Sequence, residues 1–332
     1  MQHELDQIQK YNIWHKEAMP EGAKKIGTKW VFKVKRDRDG VITRHRARLV
    51  VKGYAQRRGI DYNELYSPVL RHTSLRLLLS LAAVEDWEIY QMDVKVAFFN
   101  GELNEDIYID APTGSDEILS SGEGLKLLRS LYGLKQAPRC WNVQVDSLLQ
   151  QCGYYRCLSD TCIYVKNSAT GVAIVGLYVD DLLLFGNDLS ELNDLKFRLK
   201  NTFEMVDMGD ASYCLGLEIT RDREARTIKL SQVNGSEKCL RQYRAYESKH
   251  RANCVPISPY NDEADHVHDG SGSRYPYREA VGALLYLATC TRPDLCVAVS
   301  THASYSNSPS KQDWKRVMQT MRYLKSTVGA GL

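Results

Sequence analysis

From Gly171 to Gly186 the chain is apolar except at its middle, where Asp180 and Asp181 separate Val-Ala-Ile-Val-Gly-Leu-Tyr-Val from Leu-Leu-Leu-Phe. Short apolar runs of this kind read as two buried strands with a turn near the acids. The segment Trp87 to Phe99 carries Ile89, Met92, Val94 and Val96, a strand pattern that sets Asp93 among apolar neighbours. Nearer the start, Trp30 to Arg36 and Val41 to Lys52 read as strands joined by Asp37-Arg-Asp-Gly40, whose Asp39-Gly40 pair is a hairpin-turn signal. Alternation in the second of these strands puts Arg44, Arg46 and Arg48 on one face, away from His45, Ala47 and Leu49.

Helical spacing appears between these strands. Leu75, Leu78, Leu79, Ala82 and Ala83 make one stripe behind a cap at Thr73 or Ser74. Pro138 suits a first helical turn leading through Trp141, Val145, Leu148, Leu149 and Cys152, with a stop at Gly153. Ser190 is the expected cap for Leu192, Leu195 and Leu199. A connector rich in Asp, His, Gly and Ser runs from Asn261 to Tyr275. Beyond it, helices are expected around Val281 to Thr289 and Trp314 to Leu324, separated by Pro293 and Pro309. Strands alternating with helices predict an α+β class, with helices packed behind a mainly antiparallel sheet.

Composition narrows the field of functions. With 332 residues, 43% hydrophobic and 26% charged, the chain can bury one large core or several subdomains. No apolar run is long enough to span a membrane and the first residues are polar, so an intracellular protein without a membrane partner is expected. Nine cysteines lack C-x-x-C spacing, and Cys152, Cys157 and Cys162 have no nearby histidine, so they read as reduced packing residues rather than zinc ligands.

The net charge of +3 conceals opposed regions. Residues 24–58 hold thirteen Lys or Arg against Asp37 and Asp39, residues 85–123 hold eleven Asp or Glu against Lys95 alone, and residues 221–251 hold nine basic against four acidic. Basic walls around an acidic centre suit phosphate chemistry, although solvated surface faces explain charge runs equally well.

Adjacent carboxylates on an apolar hairpin repel each other and are costly to desolvate unless a cation compensates them. Mg²⁺ takes oxygen ligands and keeps waters, so Asp93, Asp180, Asp181 and substrate phosphates could share two such ions in an in-line phosphoryl displacement. An Asp-Asp pair at a turn is usually only solvent-facing turn chemistry, and the pair taken alone favours that reading.

The surrounding blocks add a resemblance. Tyr178-Val-Asp-Asp181 resembles the catalytic box of reverse transcriptases, and Gln91-Met-Asp-Val-Lys-Val-Ala-Phe-Phe-Asn-Gly-Glu-Leu103 resembles their first aspartate motif. Lys29 to Lys35, Arg46 to Gly53, Ser67-Pro-Val69, Ser130 to Arg139, Leu215-Gly-Leu-Glu-Ile219, Val281 to Leu287 and Thr291-Arg-Pro-Asp294 look like the polymerase of copia-type long-terminal-repeat retrotransposons. The likeness runs from about Trp14 to Leu332.

The resemblance implies a right-hand polymerase with fingers, palm and thumb. Residues 1–28 would be a lead-in and 29–220 fingers and palm, the fingers within 29–70. Residues 221–260 would be a thumb-like segment, 261–275 a linker, and 276–332 a helical connection segment ending before ribonuclease H. It implies that Asp93, the carbonyl of Val94, Asp180 and Asp181 bind two Mg²⁺ ions, with Mn²⁺ as a substitute. Phe98 would exclude a ribose 2′-hydroxyl, Gln136 would lie against the nucleotide, and Lys35, Arg36, Arg46 and Arg48 are candidates for its triphosphate. From spacing alone, Phe98 reads first as an ordinary core aromatic next to Phe99. Tyr178, Leu215 and Gly216 would support primer and template.

The implied partners are primed RNA or DNA template, dNTPs and other retrotransposon Gag or Pol products, with a dimer as one form, in a cytoplasmic virus-like particle with nuclear access. Departures from the family pattern are Val96 for the usual Thr, Phe99 for Leu and Asn142 for an aromatic. Residues 233–255 match the family's thumb poorly, and an isolated polymerase module or element remnant is implied. A decayed or co-opted nucleic-acid-binding remnant is the alternative. A palm-type nucleotidyl cyclase shares the paired carboxylates but has no use for extended basic fingers.

Overall fold

A six-stranded sheet organises the residues that carry the acids. Its strands are β5 (Glu88–Val94), β8 (Tyr155–Arg156), β9 (Ile163–Asn167), β10 (Val172–Tyr178), β11 (Asp181–Gly186) and β12 (Met205–Asp210). They lie in the order β12-β5-β11-β10-β9-β8, and every neighbour pair is antiparallel. The computed structural model describes residues 1–36, 41–243 and 275–332. The predicted Asp37–Gly40 turn, the connector from 261 to 274 and the 244–260 part of the thumb-like segment lie outside the described residues.

Two compact units divide the chain. The first comprises Met1–Leu78 and Trp87–Asp210, the second Leu79–Asp86 and Ala211–Leu332. The expected fingers-and-palm boundary at 220/221 therefore falls inside the second unit, within a single strand, β14 (Leu217–Asp222). The reason is pairing: β14 sits between β13 (Tyr213–Cys214) and β15 (Thr227–Ser231) in a three-stranded sheet, so cutting after Thr220 would split one ladder. The expected lead-in, residues 1–28, lies in the first unit.

In the first unit, helices α3 (Ala137–Gln151) and α4 (Leu189–Thr202) supply the core against the six-stranded sheet. Trp141, Val145 and Leu149 of α3 and Leu192, Leu195 and Leu199 of α4 pack with Met92, Val94, Val175, Leu177, Leu182 and Leu184 in one buried cluster. Each fully buried leucine contributes roughly 2 kcal/mol. Pro138 stands in the first turn of α3 as predicted, and Gly153 just beyond its end takes φ +85°, which only glycine adopts without strain.

The cap of α4 corrects the sequence reading. Asp188, not Ser190, accepts from the Glu191 N–H at 3.0 Å, and its carboxylate also takes the Ser168 and Thr170 hydroxyls. A carboxylate offers two acceptor oxygens and complements the helix dipole, so it outcompetes a hydroxyl two residues on.

A second cluster in the same unit joins α1 (Gln2–Lys10), the sheet of β1 (Trp14–Ala18), β2 (Lys25–Ile26), β6 (Tyr108–Ile109) and β7 (Glu123–Leu127), and the base of a two-stranded ribbon. The ribbon is β3 (Thr28–Arg36) paired with β4 (Ile42–Val51). Helix α1 escaped the sequence reading because it is mostly polar, with Glu4 and Ile8 as its buried residues.

The second unit holds α5 (Val233–Gln242), α6 (Tyr277–Cys290), α7 (Cys296–Ser304) and α8 (Lys311–Ser326) around Leu240, Leu284, Leu287, Leu295, Val299, Val317, Met321 and Leu324. Helix α7 was also missed, because its apolar positions, starting Cys-Val-Ala-Val, make no one-sided stripe at helical spacing. Helix α2 (His72–Val84) carries the predicted stripe, with Leu75, Leu78, Leu79 and Ala82 buried. The eight described cysteines are free thiols, and among the described residues no helix is long and apolar enough to cross a membrane.

Candidate active site

Strand pairing brings the acids together. β5 and β11 run antiparallel with Asp93 directly opposite Asp181, and β10 and β11 close with Tyr178 opposite Asp181. Asp180 occupies the turn between them, where its carbonyl accepts the Val94 N–H at 3.0 Å. Three carboxylates from two sequence segments thus sit at one end of the sheet, each partly exposed, while Val94 is buried beneath them.

The turn is strained. Val179 takes φ +52°, a conformation that costs a β-branched residue roughly 1–2 kcal/mol. Its carbonyl is held by the indole N–H of Trp141, donated from α3 at 2.5 Å. Strain of this kind survives only where the surroundings over-determine it, and it recurs at functional sites.

Electrostatics agree with that placement. Burial pushes the Asp181 carboxyl above the ordinary aspartate range; a hydrogen bond from the Gln91 amide at 3.1 Å opposes the shift, and the negative charges of Asp180 and Asp93 add to it. Asp181 thus has a neutral amide opposing the push of burial and of its two acidic neighbours. Among the described residues no three His, Cys, Asp or Glu side chains close into a metal cage by themselves. The donor set is nonetheless what a hard divalent cation takes: carboxylate oxygens of excess negative charge, completed by waters and phosphate.

Around the acids lies an aromatic and cationic group. Phe98 is partly buried in the short 3₁₀ turn Ala97–Asn100, and its ring meets Tyr132 edge-on at 5.2 Å and 67°. The Arg48 guanidinium lies over the other part of this contact, 4.6 Å from the Tyr132 ring centre, with its Nε buried and without a hydrogen-bond acceptor. Burial raises the Tyr132 hydroxyl, against the charges of Arg48 and Arg46 and with those of Glu4 and Asp180. Tyr132 is therefore within electrostatic reach of both the ribbon's arginines and Asp180.

The base of the ribbon is locked to that tyrosine. The Val51 N–H donates to the Tyr132 carbonyl at 2.8 Å, and the next residue, Gly133 at φ +91°, brings its own α-carbon so close that a Cβ would meet the Val51 carbonyl at 2.2 Å. Along the ribbon Arg48 faces Val31, Arg46 faces Lys33 and Arg44 faces Lys35 across the strands, so the basic ladder is present. Arg46 and Arg48 are partly buried and Arg44 is exposed. Lys35 and Arg36 are described as backbone positions only, Arg36 opposite Ile42 after a register shift.

Gln136, expected against a nucleotide, lies at the start of α3. It is 2% exposed, accepts from the Gln56 amide at 2.9 Å and donates to the Asp61 carbonyl at 2.9 Å and to Glu105 at 3.4 Å. Both ends of the amide are engaged within the protein, so it fastens the 53–64 segment to the start of α3. Leu215 (φ +53°) and Gly216 (φ +79°) form the turn between β13 and β14, and the Leu215 carbonyl accepts the Tyr286 hydroxyl at 3.1 Å. They belong to the second unit.

Gln91, Tyr132 and Trp141 were not singled out from sequence. Gln91 was findable, since it lies two residues before Asp93 and alternation puts both on one face of the strand. Trp141 was visible only as a core residue, because nothing in its spacing tells which carbonyl its N–H will meet.

Comparison with known proteins fits this geometry. A family model described as reverse transcriptase (RNA-dependent DNA polymerase) matches residues 11–258. A retrovirus-related Pol polyprotein from transposon TNT 1-94 of Nicotiana tabacum is 39% identical over 99% of this chain and 25% of its own length. One from transposon RE2 of Arabidopsis thaliana is 35% identical over 92% of the chain and 21% of its own length. The chain thus spans about a quarter of these relatives. A solved foamy viral protease-reverse transcriptase in complex with double-stranded DNA covers 96% of this chain and 46% of that one at 12% identity and a TM-score of 0.46, too slight a likeness to argue from. On the family match and the relatives, the chain belongs to the reverse transcriptase (RNA-dependent DNA polymerase) family, in the copia-type form found within transposon Pol polyproteins.

Proposed function

We propose that this chain is the polymerase part of a retrotransposon Pol protein, extending a primer on an RNA or DNA template with dNTPs. The observation that carries this reading is the register pair Asp93 and Asp181 with Asp180 on the strained turn beside them. In the reaction the primer 3′-hydroxyl attacks the α-phosphorus of a dNTP and gives up its proton to solvent, a new P–O bond forms, and pyrophosphate leaves with the electrons of the broken P–O bond.

Asp93, Asp180, Asp181 and the Val94 carbonyl would hold two Mg²⁺ ions, for which Mn²⁺ could substitute. Such ions, when bound, stabilise the attacking and leaving oxygens of an in-line displacement. The protein's own groups have distinct tasks. Gln91 orients Asp181 through its amide hydrogen bond. Trp141 holds the Val179 carbonyl and so fixes the strained turn that carries Asp180. Phe98, braced edge-on by Tyr132, presents an aromatic wall suited to a sugar without a 2′-hydroxyl. Arg46 and Arg48 supply positive potential for a triphosphate, and guanidinium groups bind phosphate oxygens strongly. Action within a cytoplasmic particle beside other Pol and Gag products belongs to the same proposal.

Purified chain is incubated with oligo(dT)-primed poly(rA), dTTP and Mg²⁺, beside the Asp180→Asn, Asp181→Asn double variant. The expected result is primer extension by the unmodified chain and a fall of more than about a hundredfold in the variant, since ligand loss exceeds the effect of removing an outer-shell partner. Equal extension by both proteins would overturn the proposal.

A further inference from the structure

The residue after Val94 is gripped twice by one partner. Lys95 donates its backbone N–H to the Glu204 carbonyl at 3.0 Å and its ammonium to the Glu204 carboxylate at 2.8 Å. Glu204 stands immediately before β12, whose first residue, Met205, lies opposite Val94. Its other carboxylate oxygen takes the Lys10 ammonium at 2.6 Å and the Tyr11 hydroxyl at 3.3 Å, at the end of α1. Tyr11 in turn meets Phe99 edge-on, with ring centres 6.0 Å apart. The 95–99 segment is therefore fastened to α1 at both ends, through Glu204 at Lys95 and through the tyrosine ring at Phe99.

An exposed ion pair by itself adds little, and the Lys10 and Lys95 side chains are both more than half exposed. Peptide geometry gives this one a consequence. The Lys95 N–H and the Val94 carbonyl belong to one planar trans peptide and point to opposite sides of the chain. β5 lies between β12 and β11, so an N–H held on the β12 side turns the carbonyl toward β11. That is the side on which the Val94 N–H meets the Asp180 carbonyl. Lys95 lies just past the end of β5, where a backbone bond standing alone frays, and the side-chain pair closes a second link around it.

We propose that Glu204 is a positioning residue for the cation site: by gripping Lys95 at backbone and side chain, it keeps the Val94 carbonyl turned toward Asp180. The inference rests on the reading of Asp93, Val94, Asp180 and Asp181 as cation ligands. It adds a residue more than a hundred positions along the chain from Asp93, and it gives α1 a task at the site, because Lys10 and Tyr11 hold the carboxylate that holds Lys95.

The test uses the full chain and Mn²⁺, with bound ion read from loss of the free-ion paramagnetic resonance signal and the Asp180→Asn, Asp181→Asn variant as the reference for binding elsewhere. The unmodified chain should bind Mn²⁺ in excess of that reference. Glu204→Ala and Lys95→Met should each weaken the excess binding about tenfold, the low end of what a residue that orients a metal ligand contributes, and Lys95→Arg should keep it. In primer extension, the Mg²⁺ concentration for half-maximal rate should rise by the same factor in the two weakened variants, with the rate recovered at saturating Mg²⁺. A loss of folded protein would instead lower the rate at every concentration. Unaltered Mn²⁺ binding in folded Glu204→Ala or Lys95→Met protein would overturn the proposal, as would an unmodified chain that binds no more than the reference. Should Glu204→Ala fail to fold, Lys95→Met against Lys95→Arg decides alone. If both variants weaken Mn²⁺ binding but the unmodified chain extends no primer, the polymerase reading fails and the clamp stands. If primers are extended and the variants bind Mn²⁺ as the unmodified chain does, the reverse holds.

Discussion

Asp181 in the first unit and Asp294 in the second are both carboxylates drawn partly out of water, and the fold treats them in opposite ways. Burial pushes the Asp294 carboxyl up, but hydrogen bonds from Arg292 and Tyr323 and the Arg292 charge outweigh it, leaving it below the ordinary range. Arg292 is 1% exposed and grips Asp294 with two nitrogens, at 3.1 and 2.8 Å, while also donating to the Thr327 carbonyl and hydroxyl. Asp181 has burial raising it, only the neutral Gln91 amide opposing, and two further acids adding to the shift. A fold that compensates Asp294 with a buried guanidinium and gives Asp181 a neutral amide against two neighbouring acids keeps Asp181 for something other than stability.

The largest effect expected from breaking the contrast is on the compensated side. Arg292→Ala removes the partner of Asp294 and the bonds to Thr327 near the end of α8, and should destabilise by about 3 kcal/mol, read from urea unfolding. Loss of less than a third of that would mean the Arg292 network is ornamental.

His302 sharpens the same contrast through pH. Burial lowers it to about 4, against a charge from Asp313 that raises it and one from Arg316 that lowers it; its Nε2 meets the Thr320 hydroxyl at 2.9 Å. Its folded-state value lies below the unfolded one, so the unfolded chain takes up a proton first as pH falls. Stability is then fully present above about pH 6.5 and is lost progressively down to about pH 4. Between pH 7 and 5 the loss should be about 2 kcal/mol. The difference between the unmodified chain and His302→Gln, measured at both pH values, should shrink by that amount at pH 5; an unchanged difference would contradict the assignment.

Much of this was legible in sequence, and the reasons for the rest are specific. The strand pair around Asp180 and Asp181, the helix at Pro138 and the ribbon with its arginine ladder follow from periodicity, because burial on one face imposes it. The cap at Asp188 was misread since Ser190 and Asp188 are both good caps, and only the Ser168 and Thr170 hydroxyls, distant in sequence, decide between them. Gln136 matched a motif, but a motif does not show that Gln56 and Asp61 will engage its amide. The Arg48, Tyr132 and Phe98 contact joins three segments and has no local signature.

The smallest expected effect is the most direct test of the claim that the acids at the β5 and β11 ends are held ready for a cation and not for stability. Thermal unfolding of the full chain is followed for the unmodified protein and Asp181→Asn, in cation-free buffer and with Mg²⁺. Removing one of three mutually repelling carboxylates should stabilise the cation-free protein by about 1 kcal/mol, as is common when a functional site is neutralised. Mg²⁺ should raise the midpoint of the unmodified protein and not that of Asp181→Asn. An Asp181→Asn protein that unfolds at the same or a lower temperature without cation, and responds to Mg²⁺ as the unmodified chain does, would contradict the account.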